Sequence, residues 1–265
     1  RLFLFYCSTL FLLACNIEGK ELTILTTPAL NFSDPEFYLS LPKQKSFFQK
    51  IELPSTNLNG ALIQVNPAQT FQSIDGFGFT LTGGSAQLIH RLEPARRATL
   101  LQELFGKNGI SVLRIGVGAT DLDSSVFSYE DEEGKFSLNK SKSDLIPVLQ
   151  EIIAINPTIK IMATPWSPPV WMKDNFSSKG GSLMEKYYAT YANYLVKYIQ
   201  EMAKEGIPIW ALTPQNEPLH PGNNPSMYMS SAMQANFIKT ALGPTFLKQN
   251  IPTKIIIYDH NCDHP

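Results

Sequence analysis

The chain has 265 residues, 43% hydrophobic and 17% charged, with a net charge of −1. That length carries a sizeable core in one or two domains. The 22 basic residues are scattered along the chain, so the clustered basic footprint of a nucleic-acid binder is excluded.

The first stretch, RLFLFYCSTLFLLAC, is a basic residue followed by an apolar run too short for a comfortable membrane span. It reads as the core of an export signal. Its ending, Leu12-Leu13-Ala14-Cys15, resembles a bacterial lipobox, so residues 1–15 are expected to be a lipoprotein-type signal peptide with Cys15 lipidated, an ordinary signal peptide that happens to contain cysteines being the alternative. The chain begins with Arg1, and its N-terminus reads as incomplete. Cys7 would leave with the signal and Cys15 would carry the lipid, leaving Cys262 without a disulfide partner. The expected location is exported and membrane-anchored, periplasmic or at the cell surface.

Residues 16–60 are rich in Ser, Thr, Pro and Asn and read as a tether followed by irregular or strand-like structure. Apolar and polar positions then alternate through GALIQVNPAQTFQSIDGFGFTL, which predicts strands between 61 and 80. From there a rhythm sets in. Helical spacing runs through SAQLIHRLEPARRATLLQELF, a β-branched run follows in GISVLRIGV, and SDLIPVLQEIIAI and TIKIMATPW repeat the pair. SLMEKYYATYANYLVKYIQEMAKEG predicts a strong helix, PIWALTPQ a strand, SMYMSSAMQANFIKTALGPTFLKQ a helix and TKIIIYD a strand.

Strands alternating with amphipathic helices imply a parallel sheet covered by helices. An open doubly wound sheet binds at one switch point, whereas a (β/α)8 barrel carries chemistry at the C-terminal ends of many strands. Nearly every strand is read as ending in chemistry at its C-terminal end, with Asp75, Arg114, Trp166, Glu217 and Asp259, and the first strand–helix turn has no glycine-rich phosphate fingerprint. The barrel is therefore the expected fold. About five strands are legible where such a barrel needs eight, so residues 61–265 read as the first part of the domain, with its C-terminal part missing.

Glu217 ends an apolar strand, where a carboxylate is costly unless solvent or a partner compensates it. Near Trp166 and Trp171 its carboxyl would be partly desolvated and its pKa raised, which suits a general acid. Asn216 offers the donor and acceptor that a sugar hydroxyl requires. A bland surface loop remains open for an isolated Asn-Glu-Pro, but TPWSPPVW at the preceding strand end makes this a constellation on two consecutive strands.

The segments FQSIDGFGFTLTGGSA, LRIGVGATDLD, FSYED, ATPWSPPVWMKDN, WALTPQNEPLHPGNNPSM and IIIYDHNCD together resemble glycoside hydrolase family 30, and within it the glucosylceramidase-like bacterial members. The resemblance covers residues 61–265. It implies a retaining β-glycosidase on a (β/α)8 TIM barrel, with N-terminal strands belonging to a small β-sandwich side domain. By the same resemblance Glu217 is the acid/base, Asn216 holds the sugar 2-hydroxyl and Trp166 lines the glucose subsite. Arg114 either orients carboxylates in direct contact or forms a salt bridge beneath the site. Asp121 and Asp259 take supporting positions, and Trp171 and His220 are further candidates along the cleft. The implied partner is a β-glucoside or a glucan, and neither a cofactor nor a metal is expected. A retaining mechanism needs a second carboxyl roughly 5 Å from the first. In the family this nucleophile lies on strand seven, and nothing up to Pro265 matches it.

Animal glucosylceramidases carry an aspartate after Met-Thr on the first strand-loop, where this sequence has Gly83 in LTGGSA. That departure weakens a claim on ceramide and keeps β-1,6-glucan as a rival substrate. Gly83 and Gly84 otherwise read as shaping the turn into the helix. The run DHNCDH has metal-ligand residue types without matched faces or a second cluster, so it reads as a polar loop. Tyr187, Tyr188, Tyr191, Tyr194 and Tyr198 have helical spacing, which favours packing against the barrel over a carbohydrate platform. A catalytically incomplete sugar-binding fragment is the other functional class left open. An unrelated lyase or aldolase lacks its strand-end lysine.

Overall fold

The computed structural model describes residues 37–41, 43, 45–52, 66 and 68–262. The expected signal, Cys7, Cys15 and most of the tether lie outside these residues. The described chain belongs to two units that divide between Thr70 and Phe71.

In the first unit β1 (Phe37–Leu41) pairs antiparallel with β2 (Ser46–Ile51). The register slips between Leu39 and Leu41, a bulge that re-aims the strand. This hairpin lies within residues 16–60. No second layer of a sandwich is present among the described residues of this unit.

The second unit is built on five parallel strands: β3 (Gly78–Leu81), β4 (Val112–Gly116), β5 (Lys160–Thr164), β6 (Ala211–Leu212) and β7 (Lys254–Ile255). Their order in the sheet is their order in the chain. A doubly wound sheet reverses that order at its switch point, so sequential winding identifies a partial barrel. Between the strands run α1 (Gly83–His90) with α2 (Pro94–Leu101), α3 (Leu145–Ile155), α4 (Tyr188–Lys204), and α5 (Ser231–Phe237) with α6 (Gly243–Lys248).

Several elements are shorter or more broken than the hydrophobic pattern predicts. Of the strands expected between 61 and 80, only Gly78–Leu81 is a strand among the described residues. Pairing begins where the amides of Ser111 and Val112 both donate to the Phe77 carbonyl. The single helix expected through LIHRLEPARRATLL breaks at Glu93. Pro94 disfavours helical backbone at the residue before it, and the Glu93 carboxylate caps Ala95 and Arg96. The long helix expected through SMYMSSAMQANFIKTALGPTFLKQ starts only at Ser231, capped by the Ser230 hydroxyl. It passes through a π-helical turn at Ile238–Leu242 before Pro244, where a missing N–H would break the ladder.

Alternation along β4 separates two faces. Leu113 and Ile115 are fully buried in the core under the helices, with Ile161 and Ala163 of β5 beside them, while Arg114 stands on the opposite face. The outer layer is dominated by α4, which buries Tyr191, Tyr194 and Tyr198 completely or nearly so. The tyrosine run is thus a packing element, with Tyr129 stacked on Tyr198 at 5.4 Å and Tyr191 on Phe237 at 5.5 Å.

Candidate active site

The polar groups at the C-terminal ends of β4, β5, β6 and β7 converge. Arg114 Nη2 donates to Asp259 Oδ2 at 2.6 Å and to Asn216 Oδ1 at 2.7 Å. Its guanidinium carbon lies 4.7 Å from the centroid of the Trp166 ring. The Thr213 hydroxyl donates to the same Asp259 oxygen at 2.9 Å and stands 3.0 Å from Thr164 Oγ1. Four consecutive strand ends are therefore tied through one arginine and one aspartate, whose side chains are only 16% and 20% exposed. Arg114 forms the salt bridge with Asp259 and also aligns the Asn216 amide. A guanidinium suits this task because it stays charged and presents several fixed donors.

Asn216 is held at three points. Its amide N–H donates to the Pro165 carbonyl at 2.8 Å, its carbonyl accepts from Gln215 Nε2 at 2.9 Å, and its side-chain oxygen is taken by Arg114. Gln215 also donates to the Trp166 carbonyl at 2.7 Å, so the β5 and β6 loops are locked together behind the site. Because Asn216 Oδ1 faces Arg114, its Nδ2 remains as the donor available to a ligand.

Glu217 follows with φ of 41°, left-handed backbone that is uncommon for a residue with a side chain. Its N–H donates to the Asp259 carbonyl and its own carbonyl accepts from His220, both at 2.8 Å. These bonds offset the conformational cost and fix where the side chain departs. The Glu217 Oε2 atom accepts from Asn223 Nδ2 at 3.0 Å. Glu217 is half-buried, a position from which a carboxyl reaches the cleft without full desolvation.

Asp121 accepts from Trp166 Nε1 at 3.1 Å, which orients the indole. The β4 loop that carries Asp121 lies directly on the start of α1. A Cβ at Gly83 would come within 2.0 Å of Asp123 Oδ1, and one at Gly84 within 2.0 Å of the Leu122 carbonyl. The two glycines thus seat the Asp121 loop as well as turning the chain into the helix. Trp171 donates to the Glu130 carbonyl at 2.8 Å and packs edge-on against Tyr187 at 5.4 Å, half-buried on the core. Its contacts are with this packing layer, whereas Trp166 makes the contact with Arg114. His220 is exposed beside Gly222. Cys262 is exposed and free, and no group of three metal-ligating side chains occurs among the described residues, which stop short of Asp263 and His264.

Sequence patterns missed three residues. Asn223 reads as ordinary loop chemistry in HPGNNP, and Thr213 reads as one more strand residue. Lys173 is fully buried, which only its apolar flanks in PPVWMKDN could have signalled.

Comparison with known proteins accords with this geometry. Residues 74–264 match the family model described as the glycosyl hydrolase family 30 TIM-barrel domain. An endo-1,6-beta-D-glucanase of Neurospora crassa is 32% identical over 92% of this chain and 56% of its own. The mouse lysosomal acid glucosylceramidase is 31% identical over 76% of this chain and 42% of its own. Among solved structures, an endo-beta1,6-glucanase superposes with a TM-score of 0.72 and 42% identity, over 74% of this chain and 46% of that one. The chain spans about half the length of the curated relatives it matches.

Proposed function

The chain belongs to glycoside hydrolase family 30, and from that premise we propose that it carries the acid/base half of a retaining β-glucoside hydrolase. The observation that supports this reading is the Asn216–Glu217 pair at the end of β6, held by Arg114, Asp259 and Asn223. In the first step the Glu217 carboxyl gives its proton to the glycosidic oxygen as the bond to the anomeric carbon breaks. A second carboxylate bonds that carbon from the opposite face. In the second step Glu217, now ionised, takes a proton from the water that displaces this carboxylate. Asn216 Nδ2 donates to the sugar hydroxyl beside the reacting carbon, and Trp166 supplies an apolar face to the ring.

We assign the nucleophile to a carboxylate outside the described residues. Asp259 is engaged by Arg114 and Thr213, and Asp121 by Trp166, which leaves both as supports. The substrate we favour is a β-1,6-linked glucan, on the 42% identity to a solved endo-beta1,6-glucanase and the absence of a side chain at Gly83. Glucosylceramide is the second reading, supported by the 31% identity to the mouse enzyme.

Glu217→Gln in the native protein is expected to lower turnover of unactivated β-glucosides by about 100-fold to 10,000-fold. It should spare the first step on activated aryl β-glucosides, whose leaving groups need no proton. Equal rates of variant and parent on an unactivated substrate would remove Glu217 from its role. We further propose that Cys15 carries a lipid anchor. An acyl mass adduct on the N-terminal peptide of membrane-extracted protein is the expected result, and an unmodified cysteine there rules the anchor out.

A further inference from the structure

We infer that Asn223 is a positioning residue for the acid/base carboxylate of Glu217, and that Lys173 holds Asn223 in place by pinning the loop after β6 to the loop after β5. This rests on the reading of Glu217 as the acid/base.

Glu217 is fixed at its backbone by Asp259 and His220, so only its side-chain torsions remain to be set. Asn223 sets them through the 3.0 Å bond from Nδ2 to Oε2. A protonated carboxyl has one carbonyl oxygen and one hydroxyl oxygen, and the amide N–H needs the acceptor. Oε2 is thereby the carbonyl oxygen, and the transferable proton resides on Oε1. As the proton leaves and charge develops, the same N–H bonds a carboxylate and strengthens. Asn223 is therefore better matched to the state after proton transfer than to the state before it.

The turn that carries Asn223 is held from beneath. The Ser226 hydroxyl donates to the Pro221 carbonyl and accepts from the Gly180 N–H, both at 2.9 Å. The Ser226 N–H donates to the Ser178 carbonyl at 2.9 Å, and the Ser178 hydroxyl to Asn224 Oδ1 at 2.6 Å. At the centre, Lys173 Nζ donates to the carbonyls of Ser226 and Ser178 at 2.7 and 3.2 Å and to Ser167 Oγ at 3.1 Å. Its three N–H donors meet three neutral oxygens, two of them on the β5 loop and one on the β6 loop. Placing an ammonium where none of it reaches solvent is costly. An apolar side chain of similar length would avoid that cost, but it could not tie three carbonyl and hydroxyl oxygens on separate segments into one arrangement.

The test compares leaving groups in the native protein. Asn223→Ala is expected to slow unactivated β-glucosides at least about tenfold in kcat/KM, with activated aryl β-glucosides changed less than about twofold. Lys173→Met should show the same leaving-group bias, and combining it with Asn223→Ala should add little. Equal slowing of both substrate types by Asn223→Ala overturns the inference. If Glu217→Gln hydrolyses unactivated substrates as the parent does, the underlying reading fails instead, so the two failures are separable. Asn223→Ala keeps the test decisive if Lys173→Met does not fold.

Discussion

Two buried polar clusters in this molecule handle their polarity in opposite ways. At Lys173 every donor of a fully buried ammonium meets an oxygen, and those oxygens belong to two different active-site loops. Beneath α4, the hydroxyls of Tyr191 and Tyr198 are equally buried and have no hydrogen-bond partner among the described residues. The tyrosines contribute through ring area and stacking, with Tyr191 and Tyr194 5.8 Å apart, and the unpaired hydroxyl is a cost that large apolar burial outweighs. Burial pushes the phenol pKa values up, that of Tyr129 to about 12 even with its hydroxyl bonded to Ser141, so these groups have no proton to exchange in the neutral range. Hydrogen bonds are therefore concentrated where loop geometry must be unique, and area suffices where it need only be filled.

The comparison breaks most sharply at Lys173. Lys173→Met removes the buried donor to the Ser226 carbonyl and the Ser167 hydroxyl, the Ser178 carbonyl keeping the Ser226 N–H, and is expected to cost about 1–3 kcal/mol, read from the shift in urea midpoint. A loss below about 0.5 kcal/mol would place the clamp in the same class as the tyrosine layer. A smaller effect concerns pH. Burial lowers the Lys173 pKa from 10.5 to about 8, with the nearby Asp174 charge partly opposing the shift. Between these values the unfolded chain binds more protons than the folded one, so the lysine's contribution to stability rises with pH across that window. The deficit of Lys173→Met relative to the parent should consequently widen from pH 8 towards pH 10.5 and stay level below pH 8. A deficit that narrows over the alkaline range contradicts this sign. The smallest effect is expected from Tyr191→Phe, which deletes an orphaned hydroxyl and keeps the ring. Its unfolding free energy should lie within about 0.5 kcal/mol of the parent or slightly above it, whereas a loss beyond about 1 kcal/mol would reveal a partner for that hydroxyl.

Much of the site was legible because it lies where periodic runs end. Trp166, Asn216 and Glu217 lie just past the paired stretches of β5 and β6, where barrel chemistry is expected, Arg114 lies within β4, and the geometry brings Arg114, Trp166 and Asn216 into contact. Asp75, expected at a C-terminal strand end, instead precedes β3 and pairs with Lys160 at the start of β5. Trp171 has the same residue type and the same proline-rich surroundings, yet it turns to Glu130 and Tyr187. Residue type fixes what a side chain can contact, and the loop path fixes what it does contact. The strand lengths show the same division. PIWALTPQ and TKIIIYD predict long strands, but β6 and β7 pair over two residues each. Just beyond the paired stretch these segments turn their polar groups to one another instead: Thr213 bonds the Asp259 side chain and Glu217 its carbonyl.

By itself the sequence determined the alternation of strand and helix, the placement of a carboxylate and an amide at one strand end, and the inward face of the tyrosine helix. All three follow from periodicity and local chemistry over a few residues. Only the tertiary structure decided that Arg114 and Asp259, 145 residues apart, share a hydrogen bond, that Lys173 joins Ser226 across 53 residues, and that Asn223 turns back onto Glu217. The reason is physical. A buried hydrogen bond depends on where two backbones arrive in space, and loops between strands have no repeating pattern from which that arrival can be read.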